Sequence, residues 1–133
     1  HNKNTNAGVE MTYHVDRLYA AVSVLAGDGH IKQRLIRAYQ DNLDDIAEDE
    51  LPRELQKRFR ELRSRLHSVA PLNGEGPVCA SVRKMSAREA SQCALAVVDL
   101  YGDMIREGDN LQDTLPLHDD MAQVPPFLVK SVS

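Results

Sequence analysis

The stretch Pro52-Arg53-Glu54-Leu55-Gln56-Lys57-Arg58-Phe59-Arg60-Glu61-Leu62-Arg63-Ser64-Arg65-Leu66-His67-Ser68-Val69 decides the fold of this 133-residue chain. Its apolar residues Leu55, Phe59, Leu62, Leu66 and Val69 alternate spacings of four and three. On an α-helix that spacing stacks them in one seam along one side. Pro52 suits the first turn, where its missing N–H costs nothing. The seam covers barely two heptads, too short for a free coiled coil, so the helix has to bury it against others. The expected fold is all-α, a small bundle of about four helices with an irregular, partly extended C-terminal tail.

Ahead of this helix lies an acidic run, Asp41, Asp44, Asp45, Glu48, Asp49 and Glu50, which reads as a turn facing the positive helix N-terminus. Before it, Ile31, Leu35, Ala38, Tyr39, Leu43 and Ile46 give a second helix over His30 to Ile46. Gly27-Asp28-Gly29 separates it from a first helix, Thr12 to Ala26, whose stripe is Val15, Leu18, Tyr19, Val22 and Leu25. So short a loop makes the two helices antiparallel neighbours. Residues 1–10 are polar and lack the apolar core of a signal peptide, so they are set aside as a disordered arm, native or added ahead of Met11.

Beyond the decisive helix, Pro71, Asn73, Gly74, Gly76 and Pro77 mark a loop. Val78, Ala80 and Val82 then alternate, which suggests a short extended strap, or a strand paired with another chain. Ser86-Ala87-Arg88-Glu89 is a capping box that opens the last helix, in which hydroxyl and carboxylate each satisfy a free backbone N–H. Ala90, Cys93, Ala94, Val97, Leu100, Tyr101, Met104 and Ile105 form its apolar face, and Gly108 is its expected stop. Pro116, Pro125 and Pro126 break any period in the tail. The expected organisation is an arm over 1–10, a helical domain over 11–108 and an extended tail over 109–133.

Composition narrows the function classes. The formal net charge of -4 argues against whole-molecule attraction to nucleic acid or anionic lipid. Aromatic residues make up 5% of the chain and Trp is absent, which argues against a stacking platform for single strands. Cys79 and Cys93 form no CxxC, so they read as two thiols of a reducing cytoplasm. No apolar run reaches the length of a membrane span. The histidines His1, His14, His30 and His118 show no zinc-site spacing, and neither a metal nor a cofactor is expected.

Two leads remain, both on the decisive helix. Outside its seam it carries Arg53, Lys57, Arg58, Arg60, Arg63 and Arg65 against only Glu54 and Glu61. These six cations form a candidate binding face for an acidic partner or nucleic acid, unless they pair with the acidic turn. The second lead is Arg60 with His67. Seven helical steps set them on nearly the same face about 10 Å apart along the axis. This R-x6-H string resembles the R-x4-6-H motif of HEPN-domain ribonucleases, small helical bundles that often act as dimers. The resemblance covers eight residues, and Glu61 stands where that family usually has Asn, Asp or His. It implies that His67 serves as general acid or base and that Arg60 stabilises phosphate charge.

No catalytic residue is favoured from the sequence. The expectation is a small, non-catalytic interaction or regulatory protein of a bacterial cytoplasm, acting on a protein partner through its charge-divided surface and tail. A homodimer through the third helix or the tail fits that expectation. The alternatives are a HEPN-like, metal-independent ribonuclease using Arg60 and His67, and, ranked third, nucleic-acid binding through the basic helix.

Overall fold

The computed structural model describes residues 3–113; of the tail expected over 109–133, residues 109–113 belong to a helix and residues 114–133 lie outside the described residues. The described residues are all-helical, as the seam spacing requires. The helices are α1 (Lys3–Ala26), α2 (Ile31–Asn42), α3 (Arg53–Leu66), α4 (Pro77–Lys84) and α5 (Ala87–Asp113), with a 3₁₀ turn at Glu48–Glu50. Helix α5 packs against α1, α2 and α3, while α4 lies on α2 and α3.

The core forms where the stripes meet. Leu55, Phe59, Leu62 and Leu66 of α3 are all buried, as are Leu35, Ala38 and Tyr39 of α2. From α5 come Ala90, Cys93, Val97, Leu100 and Met104, and from α1 Leu18, Ala21 and Leu25. Full burial of a side chain the size of Leu or Phe contributes about 1.5–3 kcal/mol, so this single cluster is what drives folding. The turn between α1 and α2 needs glycine at Gly29, whose φ is 102°. His30 caps α2, its Nδ1 accepting the Lys32 N–H at 3.1 Å. The capping box forms as expected: the Glu89 N–H donates to Ser86 Oγ at 3.0 Å and the Ser86 N–H to Glu89 Oε1 at 2.8 Å.

Several boundaries differ from the expectation. Residues 78–82 are not extended but helical, within α4. Val78 and Val82 share a face under either period, so five residues cannot separate two-fold from 3.6-fold repetition. Burial of Ser81 beside Val78 and Val82 shows the helical spacing of three and four. Pro77 starts the helix, and Ser81 Oγ accepts the Val69 N–H at 3.0 Å, tying the preceding loop to α4.

Helix α1 begins at Lys3, ahead of the expected Thr12. Helix α2 stops at Asn42, before Ile46, because the acidic run turns the chain while Leu43 and Ile46 still enter the core. Helix α3 ends at Leu66 with His67 as its C-cap, so Val69 falls in the segment that follows. Helix α5 continues through Gly108 to Asp113, past its expected stop. A glycine inside a helix costs only about 1 kcal/mol, and the length of α5 absorbs it. Tyr19 and Ile105, both assigned to inward stripes, are exposed.

Candidate functional site

The acidic turn folds back onto α3, and this junction collects most of the residues the sequence singles out. Tyr39 leaves α2 fully buried, with its hydroxyl at the rim of the turn. Arg63 reaches it from α3: Nε donates to Tyr39 Oη at 3.0 Å. Arg63 Nη2 donates to the carbonyls of Asp44 and Ile46, each at 2.8 Å, and more weakly to Leu43 at 3.4 Å. Its guanidinium also lies over the Phe59 ring, 4.7 Å from the centroid. One side chain thus takes up carbonyls that α2 leaves free at its C-terminus and along the turn.

His67 sits beside this pin. Its Nε2 is 3.3 Å from Tyr39 Oη and 3.4 Å from Asp44 Oδ1, and the two rings meet edge to face. Burial pushes the Tyr39 phenol above its ordinary pKa, and the Arg63 hydrogen bond partly offsets that rise. Tyr39 is therefore a neutral linker at physiological pH.

Arg60 turns elsewhere. Its Nε donates to Glu48 Oε2 at 2.8 Å and Nη2 lies 2.6 Å from the same oxygen, which raises the guanidinium pKa further. Arg60 and His67 are thus held by separate carboxylates, Glu48 and Asp44, and they do not share a partner. Arg17 of α1 adds a third tie to the acidic run, donating to the Asn42 carbonyl and to Asp45 Oδ1, each at 2.8 Å. The junction can clasp a turn. Its cations face carboxylates and carbonyls of their own chain, and a phosphate would have to displace them.

The remaining cations of the basic face divide. Arg58 pairs with Asp103 of α5. Arg53 and Lys57 are exposed at the start of α3. Arg65 is exposed beside a shallow cleft that it lines with Arg58, Glu61 and Asp99. Three of the six cations, Arg58, Arg60 and Arg63, thus tie α3 to other parts of the bundle. Among the described residues, no three of His, Cys, Asp and Glu gather as metal ligands, and no helix is long and apolar enough to cross a membrane.

Two features are not apparent from sequence patterning. His14 is buried in α1 with neither ring nitrogen hydrogen-bonded. Glu50 Oε1 comes within 3.4 Å of its Nε2, ion-pair distance without hydrogen-bond alignment. The second feature is an exposed apolar strip where α1 and α5 run side by side. Tyr19 is 58% exposed, Leu95 61%, Val98 41% and Ile105 39%. The Tyr19 and Tyr101 rings, 5.9 Å apart, join the two helices. One signal was available: α5 is apolar over more than one face, since Leu95 and Val98 lie off the line of Cys93, Val97 and Met104.

No family model matches the chain, and neither a curated protein nor a solved structure is significantly similar to it.

Proposed function

We propose that this protein is a non-catalytic interaction module that engages a protein partner through the α1–α5 strip. The observation that carries the proposal is the run of exposed Tyr19, Leu95, Val98 and Ile105 along α1 and α5. Exposed apolar patches of this kind mark interaction surfaces. Both cysteines are free, in keeping with a cytoplasmic protein. The pairing of Arg60 with Glu48 and of His67 with Asp44 supports a structural role for the R-x6-H pair.

The test is site-specific photo-cross-linking in cells. A photoreactive residue at position 98 is expected to capture protein, and one at Lys57 is not. Equal capture at both positions, or none at 98, overturns the proposal. A parallel incubation with structured RNA addresses the ribonuclease: cleavage by the wild type that disappears in His67→Ala would replace this reading with an enzymatic one.

A further inference from the structure

We propose, resting on the interaction reading above, that the partner at this strip is a second copy of the chain, with the two α5 helices crossing antiparallel at Gly102. On α5 the positions Ser91, Leu95, Val98, Gly102 and Ile105 recur at spacings of four and three, the geometry of a helix–helix seam. On α1 the neighbouring Val15, Tyr19, Val22 and Ala26 recur in the same way. None of these nine residues is charged. From residue 91 to residue 105 the seam is about 21 Å long at 1.5 Å per residue.

Charge placement selects the occupant. Asp99 and Arg106 flank the seam on one side, three residues before Gly102 and four after it. Both are exposed, and Arg106 has only an i,i+3 contact to Asp103. A two-fold axis through an antiparallel crossing at Gly102 brings position 99 of one copy to within one helical step, about 1.5 Å along the axis, of position 106 of the other. Asp99 then meets Arg106 twice, once on each side of the axis. An isologous interface requires such self-complementarity, because one patch must match itself. The Arg106 guanidinium lies over Gly102, within 3.6 Å of where a Cβ would stand, so it swings off the glycine as it reaches Asp99 of the other copy.

The size of the patch sets the strength. Two helices about 10 Å wide and about 21 Å long offer a plane footprint of roughly 400 Å², about half of the ~800 Å² per partner in a standard stable interface. The dimer is therefore weak and concentration-dependent.

Sedimentation velocity of the full chain, from low micromolar to several hundred micromolar, tests this. The average mass is expected to climb from 14.9 kDa toward twice that value. Val98→Asp should remain monomeric with an unchanged circular dichroism spectrum; should it misfold, Leu95→Lys at the more exposed position serves instead. Asp99→Arg and Arg106→Asp should each weaken the dimer, and the double swap should restore it. A wild type that stays monomeric throughout overturns the proposal. A monomer that dimerises only after truncation at residue 113 would assign the strip to residues 114–133. Cross-linking at position 98 to a different protein, with the purified chain monomeric, would remove the dimer and leave the interaction module standing.

Discussion

Arg63 is the residue whose loss should tell most about how the bundle is held. Replacing it with Ala removes the donors to the Asp44 and Ile46 carbonyls and to the Tyr39 hydroxyl, and the cation above Phe59. Charge-assisted hydrogen bonds contribute about 1.5–3 kcal/mol each when buried, and partial exposure here brings the carbonyl pair to roughly 1 kcal/mol apiece. The stacking on Phe59 adds roughly 0.5–1 kcal/mol. The total is about 2–4 kcal/mol, which for a domain of this size lowers the melting temperature by roughly 8–15 °C. Arg63→Lys should recover less than half, since an ammonium cannot fork between two carbonyls and a phenol.

The assay is urea denaturation of both variants beside Arg53→Ala, with amide exchange across residues 43–51. Arg53 is exposed, and its truncation should cost under about 0.5 kcal/mol. In Arg63→Ala the turn amides should exchange faster than those of α3. A loss no larger than that of Arg53→Ala, or turn amides as protected as in the wild type, would refute the pinning role.

Phe59→Ala, at a position only 1% exposed, should cost about 3–5 kcal/mol in the same denaturation experiment, and Lys57→Ala under about 0.5 kcal/mol. Ser86→Ala should cost roughly 1 kcal/mol by removing the N-cap of α5, with Ser86→Gly closer to wild type. The Arg83 guanidinium holds the Glu75 carboxyl below its ordinary value of 4.5. A lowered folded pKa stabilises above the unfolded value and is lost as pH falls through the folded one. The difference in melting temperature between wild type and Glu75→Gln should therefore shrink from about pH 4.5 downward. Burial pushes the Cys93 thiol up, so an aromatic disulfide reagent should label the partly exposed Cys79 in the native protein and reach Cys93 only on unfolding.

The seam at Leu55, Phe59, Leu62 and Leu66 was legible because its repeat is longer than any ambiguity in the period. The Ser86–Glu89 box was legible because its chemistry is local. The segment 78–82 was misread because its five residues satisfy two periods at once. The helix ends at Asn42 and Asp113 depend on what the neighbouring chain does: Arg63 rewards an early end to α2, while nothing in the packing compels α5 to stop at Gly108. At the site, the basic residues could be named but not their partners. Asp103, which takes Arg58, lies 45 positions away, and no local spacing links the two. The fates of Arg60 and His67 likewise depended on how the acidic turn folds back.

The contact between α1 and α5 has a consequence for how the chain is made. A ribosome delivers α1 and α2 first, and their short loop lets them pair at once from local contacts. The α1 residues that α5 covers have nothing to pack on until α5 emerges. Because nearly the whole domain separates these two elements in sequence, closing the core is the slow, non-local step. Until then the nascent hairpin carries an uncovered apolar flank, so fragments that end before α5 should accumulate as aggregates or chaperone clients and not as partly folded domains.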